Sequence, residues 1–112
     1  MNNTLEIKIQ DLKNLNKEEY LLVDIREEAA FAHGFIPNAV NIPLSRLREK
    51  PELLPNDKKI ILYCAKGILS YEAAEELEEK GYDVAHLAGG YGAWLLDSFS
   101  TEERYPEIEK SI

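Results

Sequence analysis

The 112-residue chain is poor in the residues that staple small proteins: it has one cysteine and two histidines. A single thiol excludes an internal disulfide, and one Cys with two scattered His lacks the close ligand pairs of zinc sites. No metal or cofactor is therefore expected. Nor is a staple required, because folding at this length removes about two-thirds of the unfolded chain's surface from water. Long hydrophobic runs are also missing. The longest, Ile60 to Ala65, falls far short of the about 20 residues that cross a bilayer. Met1-Asn2-Asn3-Thr4-Leu5-Glu6 lacks the basic-then-apolar run of a secretory leader, so a cytoplasmic protein is expected.

Positive charge is scarce. Lys and Arg number 13 against 21 Asp and Glu, a formal net charge of −8. Nucleic acid and anionic membranes would be repelled over most of such a surface and are not expected as partners. Composition is even, without repeats or low-complexity tracts, which predicts one domain over residues 1–100. The polar run from Asp97 onward leads into a tail, 101–112, read as a loosely docked segment.

Hydrophobic patterning orders the elements. Leu5 to Ile9 alternates like a half-buried strand, and Asp11 to Asn16 suggests a short helix. Tyr20 to Ile25 is apolar up to Asp24, as in a strand buried on both faces. A helix over Glu27 to Ala32 stops near His33-Gly34, a short strand spans Ala39 to Ile42, and Ser45 is placed to cap a helix through Leu47 and Arg48 that Pro51 interrupts. Lys59 to Tyr63 reads as a central strand, Ser70 to Lys80 as a helix closed by Gly81, and Asp83 to Leu87 as a further strand. Gly89-Gly90 then turns the chain into a last helix beginning at Tyr91. Alternation of strands and helices predicts an α/β domain around a mostly parallel sheet.

The single cysteine, Cys64, follows the most hydrophobic strand and precedes a Gly-containing loop and a helix start. Ligands of open α/β sheets bind beyond the carboxyl ends of the strands, where Cys64 lies. A helix N-terminus offers free N–H groups and partial positive charge that lower a thiol's pKa. Lowering it from about 8.5 to about 7 would raise the thiolate fraction at neutral pH from a few per cent to roughly half. The alternative is a small buried hydrophobe, a common fate of free Cys.

Three segments are similar to the signatures of the rhodanese-like sulfurtransferase domains. They are Leu22-Val23-Asp24-Ile25-Arg26 followed by His33 to Pro43, the loop Cys64-Ala65-Lys66-Gly67-Ile68-Leu69-Ser70, and Leu87-Ala88-Gly89-Gly90-Tyr91-Gly92-Ala93-Trp94. The resemblance runs from Leu5 to about Leu96. It implies a three-layer domain with a central, mostly parallel sheet flanked by helices. It also implies double displacement: Cys64 takes the outer sulfur of a donor such as thiosulfate, a persulfide or polysulfide, and a thiol or cyanide removes it. Backbone amides from Ala65 to Ser70 would cradle the anionic sulfur, with Gly67 where the backbone must curl. Asp24 and Arg26 are read as structural support. A non-turnover sulfur-relay or protein-binding module, exchanging sulfur with a partner protein, is the alternative.

The loop departs from the family pattern at Leu69, where Arg is frequent. An arginine there forks onto a sulfonate for roughly 1.5–3 kcal/mol, so thiosulfate is expected to be a weak donor unless Lys66 restores charge. The related phosphatases carry a loop one residue longer, ending in Arg; with Leu69 and Ser70 there, phosphate-ester hydrolysis is disfavoured. His33 is read as a turn residue and His86 as incidental. Tyr91 and Trp94 are assigned to core packing, Tyr71 to packing or a pocket wall, and the glutamates from Glu72 to Glu79 to a solvated helix face.

Overall fold

The computed structural model describes residues 5–99. Five strands, β1 (Glu6–Ile7), β2 (Tyr20–Asp24), β3 (Val40–Asn41), β4 (Lys59–Tyr63) and β5 (Val84–Leu87), form one all-parallel sheet in the order β1-β5-β4-β2-β3. The connections contain α1 (Ile9–Asn14), α2 (Glu28–His33), α3 (Leu44–Glu49) and α4 (Leu69–Glu79), and α5 (Gly90–Phe99) follows the last strand. Among the described residues no helix is long and apolar enough to cross a membrane.

The sheet separates two hydrophobic layers. On one face Leu47 of α3 and Ala73, Ala74 and Leu77 of α4 pack on Val23, Ile60, Leu62 and Val84. On the other, Ile9 and Leu12 of α1 and the partly buried Trp94 of α5 pack around Leu22, Ile61, Tyr63 and Leu87. β4 is therefore wanted by both layers, which is why Lys59-Ile60-Ile61-Leu62-Tyr63 is continuously apolar after its first residue. Ile60, Ile61 and Leu62 are fully buried, each worth about 1.5–3 kcal/mol relative to exposure. In α4 the small residues Ala73 and Ala74 face the sheet while the glutamates stay outside.

Several boundaries differ from the sequence reading. Only Glu6 and Ile7 pair with β5, because the chain leaves the sheet at Lys8 and Ile9 turns inward as the first residue of α1. Helix α1 consequently begins and ends two residues before the Asp11–Asn16 stretch. Ser45 caps nothing: α3 begins at Leu44 with Pro43 at its N-cap. Residues 97–99 belong to α5, and Asp97 accepts from Gln10 Nε2 at 3.1 Å and pairs with Lys13 of α1. The remainder of the expected tail, like Met1 to Thr4, lies outside the described residues.

Candidate active site

The chain leaves β4 at Cys64, whose side chain ends in a nearly closed position with 5% exposure. Residues 65–68 bend back before α4 starts at Leu69, so the sulfur lies between the strand end and the first turn of the helix. Gly67 N–H donates to Cys64 Sγ at 3.1 Å and Ser70 N–H at 3.3 Å, while Ser70 Oγ lies 3.3 Å from the same atom. Gly67 reaches this geometry at φ +93°, and an added Cβ would come 2.9 Å from Gly89 N. A side chain there would be both strained and blocked.

The first turn of α5 supports the loop from the other side. Gly90, at φ +60°, lies so close that a Cβ would come 2.3 Å from the Cys64 carbonyl oxygen. Tyr91 N–H donates to that oxygen at 2.8 Å, and Gly92 N–H to Ala65 O at 3.0 Å. The two carbonyls are thus engaged by α5, while the Gly67 and Ser70 amides face the sulfur. Burial pushes the Cys64 thiol up, but the Ser70 hydroxyl and the N–H groups of Ser70, Gly67 and Lys66 outweigh it and hold the thiol below its ordinary value. A cysteine so held favours the thiolate, the nucleophilic form of the side chain.

Of the seven loop residues, only Cys64 and Ser70 are buried. Ala65 and Lys66 are exposed, and Ile68 and Leu69 form an apolar rim at 65% and 51% exposure. Asp24, fully buried, and Arg26, partly buried, form a separate pair at the end of β2. Arg26 holds the Asp24 carboxylate through Nε and Nη2, donates to Gly34 O at 2.6 Å, and stacks 4.3 Å from the Tyr91 ring. Asn41 Nδ2 donates to Asp24 O and Arg26 O. Their bonds tie the strand end to the Gly34 turn and β3. His33 is exposed, with Nδ1 2.9 Å from Ala29 O.

His86 is not incidental. It is 2% exposed, with Nδ1 3.0 Å from Ser70 Oγ and Nε2 3.4 Å from Glu6 Oε1. Register sets Glu6 opposite His86 on adjacent strands, which puts both side chains on one face of the sheet. The ring meets Tyr71 edge-on with centroids 5.3 Å apart. Burial pulls the imidazole below its usual value against the opposing pull of Glu6. An open groove beside the loop is lined by Glu6, Gly67, Ile68, Tyr71, Glu72 and His86. A second cleft, between α3 and α4, includes no residue of the loop. The available sequence signal for His86 was its strand, flanked by Val84 and Leu87: in a strand buried on both faces a polar side chain needs a partner.

The chain is similar to known proteins in sequence and in fold. A "Sulfurtransferase" of Allochromatium vinosum is 40% identical over 78 residues, 69% of this chain and 73% of that protein. "Thiosulfate sulfurtransferase GlpE" of Coxiella burnetii is 30% identical over 81 residues, 71% of this chain and 76% of its own length. The crystal structure of a rhodanese-related protein from Thermoplasma volcanium superimposes with a TM-score of 0.77 at 37% identity, covering 82% of this chain and 91% of that one. The rhodanese-like domain model matches residues 9–97, from the start of α1 to within α5, and takes in the whole loop from Cys64 to Ser70. By that match, and by a parallel sheet whose central strand delivers a cysteine into a ring of amides, the chain belongs to the rhodanese-like domain family.

Proposed function

We propose that this protein is a sulfurtransferase in which Cys64 carries the sulfur as a persulfide. The observation that supports this reading is the convergence of the Gly67 and Ser70 N–H groups and the Ser70 hydroxyl on Cys64 Sγ. The Cys64 thiolate attacks the outer sulfur of a sulfane-sulfur donor, and the donor's S–S bond breaks with its electron pair on the departing fragment. An external thiol or cyanide then attacks the outer sulfur of the persulfide, and the Cys64 thiolate departs. The inward amides stabilise negative charge on sulfur at the start and end of each half-reaction.

The rim argues for the donor class. Leu69 has no charge to offer a sulfonate, and Lys66 is the loop's one cation, on an exposed side chain. Persulfides and polysulfides, whose departing fragment need not be a dianion, are therefore the preferred donors over thiosulfate. The exposed Ile68 and Leu69 also favour a second reading, in which a partner protein delivers or receives the sulfur across an apolar contact. Intact-mass measurement after incubation with polysulfide tests the core claim. The wild type should gain one sulfur atom and Cys64→Ser none; no gain with any sulfane donor would overturn both readings. Turnover with cyanide or a small thiol then favours free catalysis over relay.

A further inference from the structure

A continuous line of polar side chains runs from the sulfur to the groove: Cys64, Ser70, His86 and Glu6, with neighbouring atoms 3.3, 3.0 and 3.4 Å apart. Its middle is embedded in an otherwise apolar face containing Leu62, Ala73 and Val84. An imidazole there is costly to bury unless bonded at both nitrogens, and an aliphatic residue would pack without that cost. The chemistry of the end groups fixes the proton order. An ionised Glu6 can only accept, so His86 Nε2 carries a hydrogen, and the neutral ring leaves Nδ1 as an acceptor. The Ser70 hydroxyl donates to Nδ1, and its oxygen faces the Cys64 S–H.

We propose that His86 is a positioning residue that stores the Cys64 thiol proton through Ser70. The S–H proton passes to Ser70 Oγ as the Ser70 hydroxyl proton passes to His86 Nδ1. This leaves a thiolate that accepts from Ser70 and an imidazolium that donates to both Ser70 and Glu6; the new thiolate and the Glu6 carboxylate together offset the burial that disfavours a charged ring while Cys64 is still protonated. The thiolate forms the new S–S bond, the donor's old S–S bond breaks, and the imidazolium gives up its proton to water in the groove. That proton balances the one taken up by the departing thiolate. Among the described residues, Tyr71 of α4 meets the imidazole edge-on and Glu72 lines the same groove, while Glu75 and Glu78 act on Tyr71. Tyr71 is held in its neutral phenol form by Glu75 and so does not titrate in the working range.

The proposal rests on Cys64 being the reacting thiol, and its test uses a reaction that needs no sulfur donor. Alkylation of Cys64 by iodoacetamide is followed against pH in wild type, His86→Gln and Glu6→Gln. Storage of the proton predicts that His86→Gln reacts about tenfold more slowly near neutrality, corresponding to a one-unit rise in the thiol's apparent pKa, and converges with wild type at high pH. Glu6→Gln, at an exposed strand position, should shift in the same direction by about two- to threefold. Superimposable profiles, or faster alkylation in His86→Gln because Ser70 is freed to bond the thiolate, would overturn it. If His86→Gln does not fold, the ring nitrogens of wild-type His86 are titrated by NMR before and after alkylation. A changed His86 titration supports the coupling, and an unchanged one rejects it. Loss of sulfur gain in the mass measurement would instead reject the sulfurtransferase reading and leave this result standing.

Discussion

Replacing Leu69 by arginine should turn thiosulfate into a better donor while leaving polysulfide use unchanged. Leu69 is the first residue of α4, next to Ser70 and half exposed at the rim of the loop that holds Cys64. A guanidinium there can form a two-pronged, charge-assisted contact with a sulfonate, worth roughly 1.5–3 kcal/mol where it is sheltered. At 51% exposure the lower end applies, because water competes for both partners. At about 1.4 kcal/mol per decade this amounts to about a tenfold gain in kcat/KM for thiosulfate. Steady-state rates with cyanide as acceptor, compared between thiosulfate and polysulfide, measure it. Leu69→Lys should gain less, since an ammonium is a point charge without the fork. Equal acceleration of both donors would mean that the arginine acts on the cysteine rather than on the sulfonate. A wild type already as fast on thiosulfate as on polysulfide would refute the donor argument outright.

Gly90→Ala should destabilise the fold at the base of the loop. The left-handed backbone costs an alanine about 1–2 kcal/mol, and a Cβ 2.3 Å from the Cys64 carbonyl adds about 1–3 kcal/mol of overpacking, so a Tm loss of about 10 °C or more is expected in calorimetry. Acid should expose the buried imidazole. Folding lowers the His86 pKa, so the unfolded chain binds more protons between the folded value and about 6.5. Stability must then fall as pH drops through that window and level off below it. Urea midpoints between about pH 7.5 and 5 should show this slope in wild type and a reduced one in His86→Gln; parallel curves would contradict it.

The parts of the fold that follow from short-range patterning were legible. β2 and β4 are continuous apolar runs, α4 has a clear helical period and a glycine stop at Gly81, and Gly89-Gly90 carries the chain from β5 into α5, whose first residue is Gly90. Cys64 could be placed at the end of a central strand because the runs on either side were unambiguous. What failed depended on which strands are neighbours. The Leu5–Ile9 alternation looks the same whether the strand pairs over two residues or five, and β5 decides that from 80 positions away in the chain. His86 was missed for the same reason: its partners come from β1 and from the first turn of α4, and no local pattern joins them. Ser45 misled because a capping residue type is informative only where the helix begins, and with Pro43 at the N-cap that start lies two residues earlier.

The acidic charge, the closed sulfur and the single thiol together constrain the second half of the proposed reaction more tightly than the first. With one cysteine in the chain, no internal thiol can resolve the persulfide, so the acceptor must come from outside. Cys64 itself is nearly closed, so the acceptor must meet the outer sulfur rather than the Cys64 sulfur. Approach along the groove passes Glu6 and Glu72, whose carboxylates disfavour a second anion and favour a neutral or cationic acceptor. A neutral thiol would lose its proton on attack, in the same groove that the imidazole of His86 lines. An amine-bearing thiol should therefore outpace a carboxylated one of equal thiol pKa, by a margin that shrinks as salt screens the groove. A rate order independent of both charge and salt would exclude this groove as the acceptor's route.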